Sequence, residues 1–162
     1  MNPAPGNTTV ESRHLAAQPV VSIRAVIPID QLEAVMGTRI AALSDYLRQI
    51  GAPPAGPVFV RYHTFGPTDT DIETGVPVAV PVAGTGPIRG GMLPGGPTIS
   101  TWHFGPHPRL GEAYARLEAW LQTQGRAAAG PPWEIYHWID PRRDPAEQDP
   151  AQWGTQLVQP IE

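Results

Sequence analysis

The chain contains an internal repeat, and this feature constrains the fold of its 162 residues more than any other. Shifting the sequence by 74 positions aligns residues 34–63 with residues 108–137 without a gap, and ten of the 30 aligned pairs are identical. Matches of Ala, Gly and Pro are common in a chain of this composition, but matches of Leu, Tyr and His are not. Such self-similarity indicates that one supersecondary unit occurs twice.

Each copy of the repeat contains one amphipathic helix. In the first copy, apolar residues recur at helical spacing from Leu32 to Ile50, and Gly51 is the residue type that ends helices in a left-handed conformation. In the second copy, a stripe of Leu and Tyr residues between positions 110 and 121 ends in the same way at Gly125. Because an amphipathic helix must cover a partner surface, we expect a sheet beside each one.

Short runs of β-branched and aromatic residues flank both helices and predict the strands. In the first copy these runs are residues 20–26, 58–63 and 72–78, and in the second copy they are residues 98–104, 133–139 and 155–161. Each half therefore reads strand, helix, strand, strand, and the predicted fold class is α+β with a duplicated βαββ unit. We expect antiparallel sheets with the helices on their outer face, and pseudo-two-fold symmetry with a cleft between the halves.

The predicted domain boundaries follow from the same pattern. Residues 1–19 are expected to form a disordered tail, and residues 20–162 one domain. Within it, repeat one covers about residues 20–80, a Gly- and Pro-rich linker residues 81–96, and repeat two about residues 97–162. The sequence shows neither a secretory signal nor an apolar stretch of the ~20 residues that span a bilayer, so we expect a cytoplasmic protein without a membrane partner.

Two absent residue types exclude whole classes of chemistry. Without Cys, the chain has no disulfides, thiolate nucleophiles or thiolate metal ligands, and because all 11 basic residues are Arg, it has no Lys for a Schiff base or a Walker-type phosphate loop. A net charge of -4 without a basic cluster argues against direct binding of nucleic acid. His103 and His107 straddle a Gly-Pro turn without a third ligand, so we expect neither a metal nor a cofactor.

The candidate ligand site lies on the strand that contains Glu134. Side chains alternate along a strand, so Glu134, Tyr136 and Trp138 share one face. The repeat places Val60 and Tyr62 at equivalent positions, so Glu134 is where the halves diverge from apolar to acidic. A carboxyl group short of water among aromatic rings suits either a cationic ligand or general acid-base chemistry. A solvent-facing carboxylate on an edge strand fits the pattern equally well.

The motifs and their order resemble the GyrI-like family, which also forms the effector-binding half of AraC-type and MerR-type regulators. The resemblance covers about residues 20–162 and rests on Asp-Ile-Glu-Thr-Gly-Val-Pro-Val at 71–78, His-Phe-Gly-Pro at 103–106, Pro-Trp-Glu-Ile-Tyr at 132–136 with Asp140-Pro141, and the terminal strand at 155–161. It implies the duplicated βαββ fold with a ligand cleft between the halves. It also implies that Glu134 faces this cleft and contacts cationic aromatic ligands.

Three functions are consistent with the resemblance. The first is binding of a planar, apolar or cationic small molecule, for effector sensing or drug sequestration. The ligand-binding residues would then be Glu134, Tyr136, Trp138, Tyr62, Trp102 and Trp133. The second is hydrolysis of cyclopropane rings in DNA-alkylating natural products, in which Glu134 would activate water or protonate the substrate and Tyr62 or Tyr136 would assist. The third is inhibition of DNA gyrase by protein interaction, so a separate regulator and gyrase are the candidate protein partners.

Overall fold

An antiparallel sheet of nine strands carries two helices in the computed structural model, which describes residues 9–104, 110–137 and 154–162. The strands are β1 (Glu11–Leu15), β2 (Gln18–Pro28), β3 (Phe59–Phe65), β4 (Asp69–Pro77), β5 (Gly84–Thr85), β6 (Ile88–Leu93), β7 (Gly96–Phe104), β8 (Trp133–Tyr136) and β9 (Gly154–Pro160), and the helices are α1 (Leu32–Ile50) and α2 (Leu110–Gln124). The predicted α+β class is confirmed. Both halves share one sheet, where the sequence predicted separate sheets.

The strand order is compatible with the predicted duplication. Across the sheet the strands run β1-β7-β9-β8-β3-β4-β2-β6-β5. Read outward from the central β8-β3 pair, the halves run β8-β9-β7 and β3-β4-β2, so equivalent strands occupy equivalent places. The pairing of β3 with β8 is symmetric about Val60 and Glu134, which face each other across the two strands. The pseudo-two-fold axis therefore passes between these two residues.

Both helices lie on the same face of the sheet. α1 packs on β2 and β4, and α2 packs on the equivalent strands β7 and β9. Val60 belongs to the apolar cluster beneath α1, and Leu157 belongs to the cluster beneath α2. Because both residues oppose Glu134 in adjacent strands, all three point to one side of the sheet. Both helices are followed by the predicted glycines, with φ of 71° at Gly51 and 63° at Gly125.

The predicted disordered tail over residues 1–19 is wrong for its last residues. β1 pairs with β7 along its whole length, and β2 begins at Gln18 instead of Val20. Most of β1 is polar and exposed, so hydrophobic periodicity gives no signal for this strand. Backbone pairing at the edge of the sheet holds it in place instead.

Residues 81–96, predicted as a linker, contain β5 and β6 and extend the sheet beyond β2. The composition of this segment predicts a loop, but some of its glycines serve close packing of the backbone. A Cβ atom at Gly90 would lie 1.8 Å from the carbonyl oxygen of Val82, which no side chain tolerates. The segment therefore packs as part of the sheet because it lacks side chains where two stretches of backbone meet.

None of the helices in the described ranges is long and apolar enough to traverse a lipid bilayer.

Candidate functional site

Glu134 lies in the middle of the sheet, on the face that carries both helices. β8 has a neighbouring strand on each side, and the Glu134 side chain is only 3% exposed. The alternative of a solvent-facing carboxylate on an edge strand is therefore wrong. Its cross-strand neighbours Val60 and Leu157 are fully buried, so the carboxyl group lies between two apolar side chains on the same face of the sheet.

Two tyrosine hydroxyls donate hydrogen bonds to the Glu134 carboxylate. Tyr114 of α2 donates to Oε2 at 2.5 Å, and Tyr136 of β8 donates to Oε1 at 2.6 Å. Tyr62 of β3 interacts with Tyr136 and lies close enough to Glu134 for the carboxylate to influence its pKa. Tyrosines from both copies of the repeat therefore surround one acidic group.

Burial raises the pKa of Glu134 above its ordinary value, because the charged carboxylate loses its contact with water. The hydrogen bonds from Tyr114 and Tyr136 and the electrostatic interaction with His103 oppose this rise in part. Burial also raises the pKa of the three tyrosines, and the nearby carboxylate raises it further. Their hydroxyls therefore remain protonated donors at physiological pH.

A pocket of about 600 Å³ opens beside Glu134. Tyr62 and Tyr114 line it together with Glu134, and Pro131 and Pro132 contribute the segment that precedes β8. The volume lies within the usual range of small-molecule sites, and such sites typically combine apolar rings with a few polar groups, as this pocket does. The pocket is suited to a ligand that presents rings to the tyrosines and a polar or charged group to the carboxylate.

Residues 63–65, at the end of β3, form another part of the pocket wall. Phe65 is 64% exposed, and its ring packs edge-on against Tyr62 with 5.6 Å between the centroids. The pairing of β3 with β4 shifts between Tyr62 and Thr64, which leaves His63 in a β-bulge. Bulges are common beside functional sites because they redirect a side chain. Sequence patterns gave no indication of either His63 or Phe65 as a site residue.

Two of the predicted tryptophans lie on the other face of the sheet. Trp133 is 2% exposed and packs in an apolar cluster there. The cross-strand pairing of β7, β9 and β8 places Trp102 on the face opposite Glu134, where its ring stacks on Phe104. Trp102 and Trp133 therefore do not line the pocket beside Glu134, contrary to the prediction, because alternation turns both away from the carboxylate. Trp138 lies outside the described residues.

Tyr136 and Tyr114 each have a different relation to the pocket from the one that the sequence predicted. Tyr136 is 1% exposed and is not part of the pocket wall, so it contacts Glu134 from the interior. Tyr114, predicted only as part of the apolar stripe of α2, lines the pocket and contacts the carboxylate. The repeat does contain a signal for it, because Ile40 stands at the equivalent position of the first copy. This pair diverges from apolar to polar, as Val60 and Glu134 do.

Among residues 9–104, 110–137 and 154–162, no three His, Asp or Glu side chains converge as metal ligands would. His107, one of the two histidines considered for a metal, lies outside these ranges. A second cavity of about 580 Å³ lies beside Arg48 and Gly51 at the end of α1, and the described residues that line it include no carboxylate and no aromatic ring.

A family model described as the GyrI-like small molecule binding domain matches residues 8–161. No curated protein shows significant sequence similarity to the chain. Among solved structures, the EcmrR C-terminal domain has a TM-score of 0.80 at 22% identity, over 96% of this chain and 98% of that domain. EcmrR in its complex with DNA has a TM-score of 0.78 at 21% identity over 95% of this chain, which spans only 57% of that longer protein.

Two further structures have the same fold. A hydrolase from Listeria innocua has a TM-score of 0.66 at 14% identity, over 98% of this chain and 94% of the hydrolase. SAV2435 bound to tetraphenylphosphonium has a TM-score of 0.63 at 12% identity, over 95% of this chain and 94% of SAV2435. Identities this low establish the fold and leave the ligand of this chain to be argued from its own residues.

Proposed function

Because this chain belongs to the GyrI-like family of small-molecule-binding domains, we propose that it binds an apolar aromatic cation in the pocket beside Glu134. The observation that carries the proposal is a buried carboxyl group whose hydrogen-bond donors are two tyrosine hydroxyls. Within the described part of the chain, no arginine lies within ion-pair distance of it. The two tyrosine hydroxyls and the electrostatic interaction with His103 offset only part of the cost of burial, so a cation in the pocket would stabilise the charged carboxylate further.

Cation binding follows from the energetics of this arrangement. A buried carboxylate is unfavourable when it is unpaired, and a cation that enters the pocket stabilises its charged form. Tyr62 and Tyr114 line the same pocket, and each ring face that meets a cation adds about 0.5 to 2 kcal/mol. The complex of the similarly folded SAV2435 with tetraphenylphosphonium supports a ligand of this class.

Effector sensing is the use of ligand binding that we favour over simple sequestration. EcmrR carries a domain of this fold and forms a complex with DNA, which supports a regulatory role for such domains. In this chain the regulatory readout would require a DNA-binding unit, either covalently attached or as a separate protein.

Calorimetric titration with tetraphenylphosphonium tests the binding proposal. We expect saturable binding to the native protein, and Glu134→Gln should weaken it at least about tenfold, because the amide keeps the shape and removes the charge. Glu33→Gln is the matched control, since Glu33 is exposed at the start of α1 and should leave the affinity unchanged. Absence of binding, or equal affinity in Glu134→Gln and the native protein, would contradict the proposal.

Hydrolysis of a strained ring is a second candidate function, favoured by the raised pKa of Glu134. A carboxyl group with a raised pKa is a better general acid near neutral pH, and the hydrolase from Listeria innocua shares the fold. Glu134 and Tyr62 line the pocket and are the candidates for contact with substrate, whereas Tyr136 would position Glu134. Incubation with cyclopropane-bearing alkylators should then add the mass of one water to the product. An unchanged mass together with saturable binding would leave binding as the function.

A further inference from the structure

The pairing of β3 with β8 ends at Arg61 and Trp133, immediately before the pocket. Beyond this pair the two stretches of chain continue as residues 62–65 and residues 131–132, and both stretches line the pocket. Pro131 and Pro132 have no backbone N–H, so they donate no hydrogen bonds to a neighbouring strand. The part of the pocket wall that precedes β8 is therefore held by contacts other than a strand ladder.

Side chains from the two strands that flank β8 hold this part of the wall by its carbonyl groups. Arg61 of β3 donates its Nε–H to the carbonyl oxygen of Pro131 at 3.3 Å, and Gln159 of β9 donates its amide to the carbonyl oxygen of Gly130 at 2.9 Å. The Arg61 guanidinium also lies over the ring of Trp133, with 5.5 Å between Cζ and the ring centroid. Arg61 thus contacts both the pocket wall and the first residue of β8.

An ion pair does not explain the presence of Arg61. Within the described part of the chain, no carboxylate lies within ion-pair distance of its guanidinium, although the side chain is partly buried. Burial lowers the pKa of Arg61 because the charged guanidinium loses contact with water, and the charge of Glu73 opposes this change. An arginine at this place is therefore less favourable for stability than an apolar residue of similar size.

The internal repeat shows that an apolar residue is sufficient for the fold at this position. Ile135 is the equivalent of Arg61 in the second copy, and it pairs across the strands with Phe59, which is the equivalent of Trp133. The two pairs are thus related by the pseudo-two-fold axis, and the one that contains an arginine is the one next to the pocket. The difference between the copies therefore coincides with the pocket.

We infer that Arg61 is a positioning residue that fixes the pocket wall at residues 131–132 and thereby limits the size of the cation that the pocket accepts. The inference rests on the proposed cation-binding function and specifies the size selectivity of the same site. Arg61 is not among the residues that line the pocket, so it acts through the carbonyl group of Pro131. Without this hydrogen bond the wall can move away from Tyr62 and admit a larger cation.

Two cations of equal charge and different size test the inference. The probes are tetraphenylphosphonium and tetrakis(4-methylphenyl)phosphonium, which have the same rings and differ by a methyl group on each. Calorimetric titration gives the ratio of the affinity for the larger cation to that for the smaller one. Arg61→Ile should raise this ratio about fivefold, the effect of one net hydrogen bond, because the wall then yields to the larger cation. A loss of stability alone lowers both apparent affinities equally and leaves the ratio unchanged.

Three further variants complete the experiment. Arg61→Met keeps the unbranched stem without the donor, and it should raise the ratio in the same way if Arg61→Ile does not fold. Arg61→Gln carries an amide nitrogen as many bonds from the backbone as Nε of arginine, so it retains a donor for Pro131 and should keep the ratio within about twofold of the native value. Arg24→Met is the matched control, because Arg24 is exposed on the same face of the sheet and pairs with Asp71 instead.

The outcomes separate this inference from the proposed function. An unchanged ratio in Arg61→Ile or Arg61→Met, or an equal rise in Arg24→Met, overturns the role of Arg61 and leaves the cation site intact. A rise in Arg61→Gln as large as that in Arg61→Ile contradicts the hydrogen bond as the cause. Binding of neither probe by the native protein contradicts the cation site itself, and the role of Arg61 with it.

Discussion

The substitution Tyr114→Phe tests the central feature of the site, which is a carboxylate held by tyrosine hydroxyls. It removes the 2.5 Å hydrogen bond to Oε2 of Glu134 and keeps the aromatic ring in the pocket wall. The hydrogen bond from Tyr136 to Oε1 remains. Because the lost bond favours the charged form of the carboxyl group, the pKa of Glu134 should rise further in the variant.

The size of this rise follows from the difference between two hydrogen bonds. A hydrogen bond to a neutral group contributes about 1 kcal/mol, and one to an ionised group contributes about twice as much. The charged form of Glu134 therefore loses roughly 1 to 1.5 kcal/mol more than the neutral form. This difference corresponds to an increase of roughly one in the pKa of Glu134.

Calorimetry with tetraphenylphosphonium over a series of pH values measures this effect. The affinity should increase with pH as Glu134 ionises, and its inflection should lie roughly one pH unit higher in Tyr114→Phe than in the native protein. Tyr46→Phe is the matched control, because the Tyr46 hydroxyl accepts a hydrogen bond from the Gly84 amide and is not part of the pocket. An unchanged inflection in Tyr114→Phe, or an equal change in Tyr46→Phe, would refute the reasoning.

Three further predictions concern stability. Because burial raises the pKa of Glu134 in the folded state, the folded protein binds more protons than the unfolded chain at pH values above 4.5, the ordinary pKa of a glutamate, and stability should fall as pH rises from there through the raised pKa. The midpoints of urea unfolding should depend less on pH in Glu134→Gln than in the native protein. An equal dependence on pH in both proteins would exclude Glu134 as the cause. Gly90→Ala should destabilise the fold by about 1 to 3 kcal/mol through the clash with the Val82 carbonyl, measured by urea unfolding, and a neutral effect would show that the backbone there adjusts freely. Deletion of residues 1–15 should lower the melting temperature because it removes β1 from β7, whereas a disordered tail would leave the melting temperature unchanged.

The helices and most strands were predictable because their signals are local. Apolar spacing and a terminal glycine identify α1 and α2, and alternation along β8 places Glu134 and Tyr136 on one face. β1 and β6 were missed for the opposite reason, since both depend on pairing with strands distant in sequence. Local composition carries no information about such pairing when the residues are polar or glycine.

The candidate site was predictable only in part. Comparison of the two copies identified Glu134 as the divergent position, and the same comparison applied to Ile40 would have identified Tyr114. Trp102 and Trp133 were predicted beside Glu134 because residue type outweighed strand alternation, which assigns Trp133 to the face opposite Glu134. The part of the pocket wall at residues 63–65 was not predictable, because the one-residue bulge in this part of β3 has no clear signature in the sequence.

By itself, then, the sequence determined a repeated unit, its helices and an acidic residue at the point where the two copies differ. Only the tertiary structure decided that β8 is a central strand, that Tyr114 reaches the carboxylate, and that His63 lies at the same pocket. The physical reason is that periodicity and end signals act between neighbours along the chain. Burial, and with it the raised pKa of Glu134, depends instead on which strands and helices surround the residue after folding.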